Sequence, residues 1–243
     1  MMGARDTAPL AADALDPLAL LAALQLADSF FPTGTYAHSQ GLEGFVRREL
    51  IADAAGVEEF LHNGLVWSII PTDCVALLNA RRAALSDDTA TLRAIDHALH
   101  AMKLAEELRV SSRQLGRRVL AETAGFVDTP TLAAYRAAVS GGETPGHGAV
   151  GLGILAAAQG ISGEVAALAF CHGYAVGVLG AALRLLRVTH TQMQAILRRL
   201  HPTIAHELGR ARTRDWRTMT SFTPELDLVA IGHETDDLRQ FAS

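Results

Sequence analysis

Ten histidines are the first residues in this sequence whose type could do chemistry. His97 and His100 stand three apart in a stretch with helical patterning, so both could face one metal ion. The one nearby carboxylate, Asp96, sits at an offset that turns it elsewhere. Two exposed helix histidines are the simpler reading. His201 and His206 are five apart, a poor ligand spacing. His172 falls inside an apolar stretch and reads as a core histidine. His233-Glu234 lacks the second histidine of a zincin helix. These spacings predict no metal centre and no bound cofactor.

Ser39 lies in Ala37-His38-Ser39-Gln40-Gly41, which approximates a nucleophile elbow with Ala in place of the first Gly. That motif needs a buried strand before it and a helix after it. Here Pro32-Thr33-Gly34-Thr35 precedes, so a structural turn is favoured, and a serine hydrolase using Ser39 is kept as the alternative function. Lys103 is the sole lysine among 21 basic residues and has no Gly-rich loop before it. A P-loop is therefore excluded, as is Schiff-base chemistry at any other position. Cys74 and Cys171 are 97 residues apart, with no Cys-x-x-Cys, and fit a reducing cytosol. No cluster looks catalytic, which favours an interaction protein over an enzyme.

The elements that must position these residues are helical. Of 243 residues, 43 are Ala and 34 Leu, whereas Val and Ile together number 23. That balance suits helices and starves a β-sandwich. Asp16 with Pro17 opens a helix whose stripe is Leu18, Leu21 and Leu24. Residues 30–44 hold Pro32, Gly34, Gly41 and Gly44 and form a long structured turn. Asp53 caps a helix that Pro71 ends, and Thr72 restarts the chain. A further helical stretch runs from about Asp88 to Ala121. Two Ala/Gly helices follow, split by Gly160 and Ser162. A helix from Thr191 to about Arg212 aligns Leu197, Leu200, Ile204 and Leu208. The reading is an all-α, single-domain, bundle-like fold of roughly eight to ten helices with an irregular C-terminal tail. The domain boundaries are a loose N-terminal tail at 1–14, a helical domain at 15–220 and a tail at 221–243.

Residues 165–183 carry no formal charge and approach the length that spans a bilayer. Ala169, Gly173, Gly177 and Ala181 form a small-residue stripe that would let another backbone approach. A buried central helix is the favoured reading, and no signal peptide is evident. Net charge is −5, which argues against a nucleic-acid grip. It is unevenly spread: residues 188–224 carry six Arg against Glu207 and Asp215, while 225–243 carry five acids against Arg239. Such a pairing could meet a partner of complementary charge.

Four segments together resemble the urease accessory protein UreF family. They are LQLADSFFPTGTYAHSQGLE at 24–43, KLAEELRVSSRQLGRRVL at 103–120, GHGAVGLGILAAAQGI at 146–161 and SFTPELDLVAIGHETDDLRQFAS at 221–243. Against the family pattern, Ile231-Gly232 replaces Met-Arg before His-Glu, Asp237 replaces an aromatic, and Gly148 replaces the second His of a His-His pair. The resemblance implies an all-helical, non-enzymatic, cytoplasmic protein that dimerises. It would bridge UreD (UreH in some systems) and the GTPase UreG on apo-urease, recruit UreG, modulate its GTPase cycle and support nickel insertion. Neither nucleic acid nor a membrane is an expected partner. The residues it marks as partner-binding are Pro32, Gly34, Tyr36, His38, Ser39, Glu43, Arg113, Gln114, Pro224, His233, Glu234, Arg239 and Phe241.

Overall fold

The computed structural model describes residues 16–28 and 39–233. Its helices are α1 (Pro17–Ala27), α2 (Leu42–Arg47), α3 (Ala54–Gly64), a π-helical segment (Leu65–Cys74), α4 (Val75–Leu85), α5 (Thr89–Met102) and α6 (Glu106–Thr123). They continue with α7 (Pro130–Ser140), α8 (Gly148–Ala158), α9 (Gly163–Leu185), α10 (His190–Ala211), a 3₁₀ turn (Trp216–Thr218) and α11 (Pro224–His233). No strand occurs among the described residues, so the all-α expectation holds.

Local hydrogen bonds explain most helix starts. The carboxylates of Asp16, Asp53 and Asp88 accept from Leu18, Gly56 and Thr91 N–H groups. Thr129 and Ser162 cap α7 and α9, and Thr189 with Gln192 makes a capping box for α10. Each cap satisfies donors that a helix end leaves open. The core is centred where α4 crosses α8. Gly153 permits that approach, since a Cβ there would lie 2.5 Å from the Leu77 carbonyl oxygen. Helix α8 is buried on nearly every side, which is why its sequence is apolar all round. In α10, Leu197, Leu200, Ile204 and Leu208 are buried together as their spacing requires.

Pro71 does not end its helix. The chain widens into the π register from Leu65 to Cys74 and runs on into α4. In an α-helix the missing Pro71 N–H would orphan the Trp67 carbonyl, four residues back. Here the Trp67 oxygen accepts from Phe222 N–H at 2.9 Å. The neighbouring Ser68 oxygen accepts from the Thr72 hydroxyl at 2.6 Å. The Trp67 carbonyl is thus the acceptor on which the chain after α10 docks. The stretch from Asp88 also differs from expectation, breaking at Lys103–Ala105. Arg109 bridges the break, donating to the carbonyls of Lys103 and Leu104 at 2.7 and 2.8 Å.

Three further expectations are corrected. Residues 224–233, read as an irregular tail, form α11. Leu18, Leu21 and Leu24 face outward, while α1 sits on the body through Ala23 and its neighbours. At Gly173 and Gly177 no backbone comes close: among the described residues nothing lies within 4 Å of a Cβ built there. With Ala169 they line a cavity of about 180 Å³ among α1, the π segment, α6, α9 and α11. Its polar wall holds the buried ion pair Lys103–Asp73 at 2.8 Å. Two helical stretches, Ala54–Leu85 and Gly163–Leu185, are long and apolar enough to cross a bilayer. Residues of both contribute to the core.

Candidate partner-binding surface

The early turn and the C-terminal segment, 190 positions apart between Glu43 and His233, meet in space. At the start of α2 the backbone goes left-handed at Gln40 (φ 55°) and Gly41 (φ 90°). The Ser39 hydroxyl then accepts from Glu43 N–H at 3.3 Å. Ser39 is fully buried in this role, so its hydroxyl is a helix cap, out of reach of a substrate.

Helix α11 lies against α2 over small residues. A Cβ at Gly41 would lie 2.6 Å from Leu226 Cδ1, and one at Gly44 would lie 2.6 Å from Val229 Cγ1. Arg48 donates to the Gly44 carbonyl at 3.1 Å, and a Cβ at Gly232 would press on its guanidinium at 2.8 Å. The end of α11 is held by one buried side chain. His233, 1% exposed, places Nδ1 3.0 Å from Glu107 of α6 and Nε2 3.6 Å from Glu43 of α2. A buried imidazole between two carboxylates ties three elements at one point.

The outer side of α11 is as apolar as its inner side. Leu226, Val229 and Ala230 turn inward, whereas Leu228 is 72% and Ile231 47% exposed. Phe222, 75% exposed, precedes the helix, and its backbone is held to the exposed Trp67. This double-faced pattern is why the segment lacks a helical stripe.

The remaining marked residues lie apart. Arg113 is on α6, paired with Glu106 at 2.9 Å, and Gln114 beside it is exposed. Pro224 is the exposed first residue of α11. Pro32, Gly34, Tyr36, His38, Glu234, Arg239 and Phe241 lie outside the described residues. Glu107 and Arg48 were not singled out from sequence. Glu107 stands within the quoted 103–120 segment, but nothing local marks it as the partner of a histidine 126 positions on.

The histidines behave differently from their spacing. His97 contacts the Glu143 carbonyl at 3.0 Å, while His100 Nδ1 lies 3.1 Å from His147 Nε2. His97 and His100 therefore have separate partners. His172 is exposed on α9, contrary to the core reading, because the outward face of that helix is only partly covered. His147 is fully buried, its Nδ1 2.9 Å from the Ser112 hydroxyl. Burial, followed by the nearby Lys103, His100 and arginines, pushes its pKa down to about 2. His100 is lowered too, first by burial and then by Arg113 and Arg109. Buried Asp96 shapes the turn leading into α8, accepting from the Thr144 hydroxyl, Gly146 N–H and His147 N–H at 2.6, 2.7 and 2.9 Å. No group of three or more His, Cys, Asp or Glu suited to a metal ion occurs among the described residues.

The surface these elements build carries exposed apolar side chains on a helix whose end is held by a buried histidine. Comparison with known proteins gives it a context. Residues 51–201 match the family model UreF. Urease accessory protein UreF 1 of Brucella melitensis is 34% identical over 222 residues, covering 91% of this chain and 92% of its own length. Urease accessory protein UreF 2 of Brucella canis is likewise 34% identical, with 91% of each chain covered. Urease accessory protein UreF of Yersinia pseudotuberculosis is 29% identical over 224 residues, covering 92% of this chain and 98% of its own. With a family model spanning most of its length and relatives aligned nearly end to end, the chain belongs to the UreF family of urease accessory proteins.

Proposed function

We propose that this chain is a non-catalytic scaffold in the cytoplasm that bridges UreD (UreH) and the GTPase UreG on apo-urease. It recruits UreG and modulates its GTPase cycle, and the assembly inserts nickel, which is cargo rather than a resident cofactor. The chain works as a homodimer. One observation carries the reading: Phe222 before α11 and Leu228 and Ile231 on it face solvent while buried His233 lies between Glu43 and Glu107. A pre-ordered apolar helix face loses little conformational freedom on binding. The tail 221–243 takes the GTPase. The early turn (Pro32, Gly34, Tyr36, His38, Ser39 and Glu43) shapes the platform under it. Pro224, Glu234, Arg239 and Phe241 on the tail, with Arg113 and Gln114 on α6, complete the partner-binding set.

The test is co-purification of the full chain with both partners. Leu228→Glu with Ile231→Glu should keep the helical circular-dichroism signal and melting temperature, retain UreD and lose UreG. Normal UreG recovery by that folded variant would refute the role given to α11.

A further inference from the structure

Two residues that look unrelated in sequence meet in the core. Cys74, at the end of the π segment, and Cys171, mid-way along α9, place their sulfur atoms 3.4 Å apart. Both are fully buried free thiols. No third ligand-type residue joins them in a group suited to a metal ion among the described residues. Their chain neighbours Asp73 and Phe170, together with Tyr174, form wall of the cavity described above. A molecule of the size of water or hydrogen peroxide in that cavity therefore lies against the two segments that carry the sulfurs.

We propose that Cys74 and Cys171 are an oxidisable pair, which a small neutral peroxide converts into an intramolecular disulfide joining the π segment to α9. In the first step one thiol sulfur attacks peroxide: an S–O bond forms, the O–O bond breaks, and water leaves. The resulting sulfenic acid is then attacked by the second thiol. An S–S bond forms, the S–O bond breaks, and a second water leaves. Two sulfurs are each oxidised by one electron, and the peroxide oxygens are reduced. The sulfurs need only close from 3.4 Å to about 2.05 Å. The sulfenic acid has its resolving thiol already in contact, so the pair should stop at the disulfide rather than climb to sulfinic acid. Burial and the neighbouring Cys171 both push the Cys74 thiol pKa up, so the reaction is slow at neutral pH and quickens as pH rises. The cross-link closes a long loop between positions 97 apart, which restricts the unfolded chain.

The experiment uses the full reduced chain, hydrogen peroxide as the oxidant, and glutathione in a parallel tube as a reference thiol. After unfolding and alkylation, intact mass should show loss of two hydrogens and no alkylated cysteine. The two thiols should disappear together, dithiothreitol should restore them, and the oxidised chain should melt at a higher temperature. Cys74→Ser and Cys171→Ser, each alone, should abolish the internal cross-link. Full alkylation of both cysteines after prolonged exposure to excess peroxide at raised pH, with glutathione oxidised in the parallel tube, would overturn the proposal. So would oxygen adducts on separate cysteines, or cross-linking between chains, without the internal disulfide.

Discussion

Replacing His233 by Ala removes the donor that separates two buried carboxylates. Glu43 is 3% exposed, and Glu107 faces the same imidazole from α6. Truncating the central member of such a buried polar cluster costs about 3–5 kcal/mol, because the two carboxylates lose the imidazole contact in a medium that solvates them poorly. The Nε2–Glu43 separation of 3.6 Å is longer than a good hydrogen bond, so the lower part of that range applies, about 3 kcal/mol. For a chain of this size that corresponds to a fall in melting temperature of roughly 6–12 °C. The loss should be greatest at α11, so amide exchange across 224–233 should speed up before the rest of the core responds. Adding Glu107→Gln to the His233→Ala variant should recover part of the loss, since it removes one of the facing charges. The assay is thermal unfolding of the single and double variants, with hydrogen exchange read by mass. Parental melting and parental protection of α11 in His233→Ala would refute the pinning argument.

Stability should also depend on pH through His147. Its folded pKa is about 2, below the ordinary histidine value, so the unfolded chain binds a proton that the folded chain does not. Its contribution is therefore full above about pH 6.5 and falls as the solution is acidified, by about 2 kcal/mol at pH 5; urea titrations of parent and His147→Asn should show a shallower acid limb in the variant. Lys103→Met leaves Asp73, 2% exposed, without its ammonium partner and should cost about 3–5 kcal/mol, with Asp73→Asn in the same chain restoring part of it in thermal unfolding. Gly116→Val should be among the most damaging single changes, because even a Cβ there meets the Gly146 carbonyl and His147 backbone; parental yield and melting would contradict that packing.

Helix starts were legible because they are local: Asp16, Asp53 and their neighbours each cap within three residues. The stripe of α10 was legible because one of its faces is buried and the other wet. Pro71 misled because the chain absorbs it by widening into the π register, and nearby carbonyls are engaged by the Thr72 hydroxyl and by Phe222 N–H, the latter from 151 positions away. The break at Lys103–Ala105 contains neither Gly nor Pro; Arg109, from the next helix, holds it. Helix α11 escaped detection because Leu228 and Ile231 make its outer face as apolar as its inner one. Glu43 and His233 were each marked by the family resemblance, yet their meeting, with Glu107 on the other side of the imidazole, is tertiary and leaves no trace in spacing. The pairing of Cys74 with Cys171 is hidden for the same reason.

The central claim is that this chain acts in loading urease with nickel through the outer face of α11. The most direct measurement is the nickel content of urease purified from source cells expressing the parent chain, no chain, or the Leu228→Glu, Ile231→Glu chain at equal levels. Nickel-filled urease with the parent and largely empty urease in the other two strains is the expected result. Urease filled to the parental level without this chain, or with the folded double variant, would contradict the account.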